Sequence, residues 1–166
     1  MTEIISTEAD IWNYLKEIPD PEIPVINIVE LGVVRAIEIN ADKINISVTP
    51  TYIGCPAMKV IEEDISAVLK SKGFNDVTIK TILSPAWTTD WITDEAKQKL
   101  KKYGIAPPES ASEDKGYLFS KGVKKVNCPH CNSTNTEMKS QFGSTACKAL
   151  YICKDCLEPF DYFKCI

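Results

Sequence analysis

Seven cysteines are distributed unevenly along 166 residues, and their spacing separates two kinds of chemistry. Cys128-Pro129-His130-Cys131 and Cys153-Lys154-Asp155-Cys156 form two C-x-x-C knuckles with 21 residues between them, enough for a hairpin. Four soft sulfurs within tetrahedral reach favour zinc, and rubredoxin-type iron would use the same ligands. Cys147 and Cys165 fall in the same segment and read as small buried hydrophobes beside Phe142, Tyr151, Phe160 or Phe163. Cys55 stands alone in Thr49-Pro50-Thr51-Tyr52-Ile53-Gly54-Cys55-Pro56. Pro56 suits a first helical position, so Cys55 is expected at the helix cap, where free backbone N–H groups and the helix dipole favour a thiolate. Gly54 lets the backbone take positive φ, and the Thr49 and Thr51 hydroxyls can donate toward the sulfur. A buried cap cysteine with no chemistry is the alternative for the isolated tripeptide.

Asp20-Pro21-Glu22-Ile23-Pro24 sets two carboxylates in a rigid loop. Asp20 and Glu22 either cap that turn, or ligate iron or meet a basic partner. His130, the only histidine, lies inside a knuckle and reads as a solvated spacer, which leaves Cys55 without a base for Cys-His catalysis. Trp87 and Trp91 read as core or interface aromatics.

The elements that position these residues follow from periodicity. Residues 7–18 carry a capping threonine, early acidic side chains and Ile11, Trp12, Leu15 and Ile18 at helical spacing. Residues 33–39 and 43–48 alternate around Asn40-Ala41-Asp42, the pattern of a hairpin. Ala57, Val60, Ile61, Ile65, Val68 and Leu69 form one helical stripe ended by Gly73. Residues 77–82 read as a third strand, and Thr93 caps a third helix that runs to Tyr103, with Gly104 beyond. The expectation is an α/β (α+β) domain over residues 1–104, a three-stranded sheet covered by helices that include the third. A linker over 105–121, rich in proline and acid, and a four-cysteine zinc ribbon over 122–166 complete the chain. A module of that size needs its metal, which supplies about 10–16 kcal/mol of apparent binding energy.

Residues 1–120 carry a net charge of −7 and residues 121–166 a net +3. Arg35 is the only arginine, so the bidentate forks that read bases and clamp phosphates are nearly absent. The lysines of the tail, Lys121, Lys124, Lys125, Lys139, Lys148, Lys154 and Lys164, keep open a ribbon that binds nucleic acid or protein without iron-sulfur chemistry. The first residues lack a basic then apolar leader, and no apolar run could cross a bilayer. A cytoplasmic protein without nucleic-acid or membrane partners is expected.

Three segments carry a resemblance: Asp20-Pro21-Glu22-Ile23-Pro24-Val25, Val29-Glu30-Leu31-Gly32-Val33-Val34, and the stretch from Thr49 to Pro56. They are similar to the signature of the SufT/PaaD-like iron-sulfur assembly family. Ser84-Pro85-Ala86-Trp87-Thr88-Thr89-Asp90-Trp91, Gly104-Ile105-Ala106-Pro107-Pro108 and the terminal ribbon narrow the resemblance to the branch serving phenylacetyl-CoA epoxidase as an accessory subunit. The resemblance implies a non-enzymatic maturation protein that works with the epoxidase components, especially their iron-sulfur reductase, and with iron-sulfur assembly proteins. It implies that Cys55 is the reactive cysteine, with Asp20, Glu22, Thr49 and Thr51 as its neighbours. A [2Fe-2S] cluster wants four thiolates and this domain offers one, so a transient cluster at Cys55 would be shared, through a homodimer or an external thiol.

Overall fold

A computed structural model describes residues 7–108 and 125–164, which fall into two units, one ending at Trp87 and the other beginning at Thr88. In the first unit α1 (Glu8–Leu15) starts from a capping box, in which the Thr7 hydroxyl accepts the Asp10 N–H and the Asp10 carboxylate accepts the Thr7 N–H. β1 (Val34–Asn40) pairs antiparallel with β2 (Lys43–Val48), and α2 (Ala57–Ser71) carries the chain over to β3 (Asp76–Thr81), which lies parallel to β2. The sheet order is β1-β2-β3.

Period two along β2 buries Ile44, Ile46 and Val48, and period 3.6 along α2 buries Ala57, Ile61, Ile65 and Leu69. With Ile11 and Leu15 of α1, these make one core. The segment from Ile18 to Val33 is equally ordered. Ile23, Ile26, Ile28 and Leu31 are buried, and the Ile28 N–H donates to the Ile18 carbonyl at 3.1 Å. Asn27 and Glu30 close a reciprocal cap in this segment: the Asn27 side chain accepts the N–H groups of Val29 and Glu30, while the Glu30 carboxylate accepts the Asn27 N–H.

The second unit begins with a 3₁₀ turn (Thr89–Trp91) and α3 (Asp94–Tyr103), whose Thr93 cap, acidic first turn and left-handed Gly104 match the sequence reading. Then β4 (Ile105–Ala106) joins β5 (Thr136–Ser140), β6 (Lys148–Cys153) and β7 (Pro159–Phe163) in the order β4-β7-β6-β5. Its core holds Ala106, Val126, Tyr151, Phe160 and Tyr162 with Cys128 and Cys153. No helix among the described residues is long and apolar enough to cross a membrane.

The chain divides by contact at a place other than the expected boundary. The third helix groups with the ribbon instead of closing the first domain, and the expected linker of 105–121 opens with a strand, because Ile105 and Ala106 pair parallel with Asp161 and Tyr162. Two buried apolar residues completing a sheet outweigh the proline-rich text that follows them. Residues 109–121 of that linker lie outside the described residues.

Candidate metal centre and the solitary thiol

The two knuckles are built alike. The Cys128 N–H donates to the Ser133 carbonyl at 2.9 Å, and the Cys153 N–H donates to the Glu158 carbonyl at 3.0 Å, the same five-residue step. The residue after each second cysteine turns left-handed, Asn132 with φ 63° and Leu157 with φ 64°. Asparagine suits that conformation; leucine tolerates it because the knuckle imposes it. Between the knuckles, Asp155 accepts from the Asn135 amide at 2.7 Å and from the Ser133 hydroxyl. These bonds hold the Asp155 carboxyl below its usual range, Ser133 having the larger effect. The Lys154 N–H donates to the Asn135 carbonyl at 2.8 Å, locking one knuckle to the other.

This frame brings the sulfurs of Cys128, Cys131, Cys153 and Cys156 within 4.8 Å of one another. Cys128 and Cys156 are 3.7 Å apart, and Cys131 and Cys153 are 3.6 Å apart. A tetrahedral ion with metal–sulfur bonds of about 2.3 Å needs sulfur–sulfur edges of about 3.8 Å, so these two edges match such an ion and the other sulfurs lie within about an ångström of that spacing. The electrostatics point the same way. Backbone N–H groups of Cys156 and Asp155 draw the Cys153 thiol down to about 7, partly offset by burial. Cys156 also receives a backbone N–H, from Glu158, yet burial and its three thiol neighbours push it up to about 12. Cys131 is raised as well, by burial and thiol neighbours that outweigh the Ser133 N–H. Four thiolates cannot share this space without a cation.

The remaining ribbon side chains divide. Cys147 is buried and contacts the Thr145 hydroxyl at 3.1 Å, as a packed thiol would; Cys165 lies outside the described residues. Glu137 bridges Lys139 and Lys154, each at 2.9 Å, and those ammonium groups hold its carboxyl at about 2. Lys164 covers the Phe142 ring at 4.3 Å and donates to the Gln141 carbonyl. His130 is exposed and lies beside Gly104. Lys121 and Lys124 lie outside the described residues.

Cys55 sits at the opposite kind of place. α2 has its cap at Pro56, not at Cys55, which precedes the cap by one residue. Pro56 already has helical dihedrals, so the Cys55 carbonyl, not its side chain, accepts the first N–H, that of Met58 at 3.3 Å. Gly54 takes φ +81° as expected, with open space on its side-chain side, and Cys55 is half-buried. Three loops converge at this end of the sheet. The Thr49 N–H donates to the Val33 carbonyl and the Ile82 N–H to the Val48 carbonyl, both at 2.8 Å. Trp87 is buried and its indole donates to the Leu31 carbonyl at 3.0 Å, which ties the third loop to the first. The edge where β2 and β3 deliver their C-terminal ends is where open α/β sheets place their sites.

Asp20 is buried and accepts the N–H groups of Glu22 at 2.9 Å and Ile23 at 2.8 Å, so its carboxylate caps the turn. Thr49 is buried at the end of β2, while Glu22 and Thr51 are half-buried. Sequence reasoning missed the Asn27–Glu30 cap and the Ser133–Asn135–Asp155 lock. The first was visible as N-x-x-E spacing; the second joins residues about twenty apart and had no local signal.

An α/β domain with one solitary thiol, followed by a cysteine-held ribbon, defines a two-module class, and comparison with known proteins assigns both modules. Residues 8–81 match an iron-sulfur cluster assembly protein family and residues 113–164 match the PaaD zinc beta ribbon domain. The chain is 47% identical over 95% of its length to an Escherichia coli (strain K12) protein provisionally named as one of the subunits of 1,2-phenylacetyl-CoA epoxidase, covering 92% of that relative. The chain belongs to this PaaD family. It is also 36% identical over 59% of its length to an Fe-S protein maturation auxiliary factor of Porphyromonas gingivalis, covering 94% of it. Among solved structures, a domain of unknown function (DUF59) from Bacillus anthracis superposes with a TM-score of 0.53 at 28% identity, over 56% of this chain and 90% of that one. A conserved hypothetical protein from Thermotoga maritima gives 0.50 at 29% identity, over 57% and 94%.

Proposed function

We propose that this chain is an accessory protein that helps an iron-sulfur cluster reach a component of phenylacetyl-CoA epoxidase, with Cys55 as the thiol that holds the cargo in passage. One observation carries the reading. Among the described cysteines, four converge on one centre and Cys147 is buried, which leaves Cys55 as the single accessible thiol outside that centre. One thiolate cannot complete a cluster's shell, so the client's cysteines replace Cys55 by ligand exchange, with no net redox change. Weak holding suits delivery. Asp20 acts by fixing the loop beside the site, and Gly54, Glu22, Thr49 and Thr51 shape its rim. Zn²⁺ is the ion for Cys128, Cys131, Cys153 and Cys156, where it holds the ribbon and takes no part in transfer. The client is the epoxidase's iron-sulfur reductase, and the setting is the cytoplasm. The names of the relatives and the one-thiol domain support this reading. The pairing of Lys139 and Lys154 with Glu137 speaks against a nucleic-acid surface on the ribbon.

Anaerobic reconstitution with iron and sulfide tests the role of the thiol. The wild type gains visible absorbance from cluster binding and Cys55→Ser does not, while both retain the ribbon metal. Equal uptake by both proteins, or uptake by neither, counts against the proposal.

A further inference from the structure

α2 spends one stripe on the core and leaves another unpartnered. Glu63, Ser66, Ala67 and Lys70 recur at helical spacing and, with Val77 and Ile79 of β3, line an open groove of about 610 Å³. Val77 and Ile79 belong to the core face of the sheet, since they stand beside Ile44 and Ile46 of β2, yet they remain only half-buried. β3 is an edge strand, paired with β2 alone among the described residues. Of the other charges near the groove, Glu62 accepts from the Thr81 hydroxyl at 3.1 Å and Lys72 pairs with Glu17 at 3.5 Å, while Lys59 has no side-chain partner among the described residues. Glu63 and Lys70 have no side-chain partner among the described residues. Val60, 42% exposed, extends this flank toward the start of the helix.

We propose that this flank of α2 is an interface between two copies of the chain, packed antiparallel about a two-fold axis at Ser66 and Ala67. The small side chains at the axis let the helices approach, and Glu63 of each copy then faces Lys70 of the other, as a self-complementary isologous patch requires. The charges fix the register. Sliding one helix by a turn in one direction sets Lys59 against Lys70, and a turn in the other direction sets Glu63 against Phe74. The proposal deepens the proposed function and rests on it for its consequence. Antiparallel packing in this register separates the two Cys55 positions by 23 residue steps, roughly 35 Å at about 1.5 Å per residue. Two Cys55 thiols of one dimer therefore never share a cluster, and each meets a client on its own.

Sedimentation velocity on the full-length, metal-loaded chain without added iron tests the interface separately from cluster chemistry. The wild type is expected at twice the chain mass of 18.5 kDa. Glu63→Lys and Lys70→Glu alone each weaken association at least about tenfold, and the double variant restores it. Cys55→Ser leaves the mass unchanged. A wild type that stays monomeric at about 100 µM, or a dimer indifferent to both single charge reversals, overturns the proposal. Unchanged circular dichroism in the variants separates lost association from lost folding.

Discussion

Asp20 shows how a buried charged residue can serve to close a turn. Its buried carboxylate accepts two backbone N–H groups, and removing it strands both in a place water reaches poorly. Asp20→Ala is expected to cost the first unit about 2 kcal/mol, read as a lower urea midpoint, and Asp20→Asn, which keeps one acceptor oxygen, about half of that. The acid and its prolines were legible in the sequence, because Pro21 and Pro24 restrict the backbone whatever surrounds them. The choice between cap and ligand was not, since it depends on which amides the folded loop points at the carboxylate. Cys55 stood apart in the sequence through its place between Gly54 and Pro56, away from the paired cysteines of the ribbon. Its offset from the cap by one residue was hidden in the helical dihedrals of Pro56.

At the scale of elements, caps and periodicity located α1, α2 and α3 but not the 3₁₀ turn at Thr89–Trp91, and alternation located β1, β2 and β3. β4 escaped because two residues carry no period, and its partner strand lies more than fifty residues away. The same distance hid the grouping of α3 with the ribbon. Gly104 is the joint between these elements. It ends α3 at φ +92°, and a Cβ there would lie 3.1 Å from Cε1 of His130, one residue before Cys131. Gly104→Ala is expected to destabilise the second unit by about 1–2 kcal/mol, from the left-handed backbone together with displacement of the imidazole. His130→Ala in the same background removes the steric part and leaves the backbone part. Thermal melts of the metal-loaded single and double variants check both values, and additive losses would contradict the contact.

The whole molecule joins a unit that folds on its apolar core to a ribbon in which four thiols converge on one centre. The first unit buries isoleucine, leucine and valine from α1, α2, β2 and the loop between Ile18 and Val33. The second surrounds its thiols with a small aromatic core in which Tyr151 stacks on Phe160 at 5.7 Å. A chelator is therefore expected to abolish the melting transition of the second unit and leave that of the first in place. Metal binding must also strip protons from thiols whose folded values lie above the ordinary one. At pH 7 at least the two protons of Cys131 and Cys156 leave when the ion enters, so affinity falls as pH drops. Calorimetry in buffers of different ionisation enthalpy counts them, and a proton-neutral uptake would contradict four-thiolate ligation. Cluster content of the client speaks most directly to the division of labour between the two kinds of cysteine. The epoxidase's reductase would be purified from cells that carry either the wild-type chain or Cys55→Ser at equal levels, and its iron and sulfide measured per polypeptide. Cys55→Ser, with its ribbon metal intact, is expected to leave the reductase largely empty; a fully loaded reductase in those cells would contradict the role assigned to Cys55.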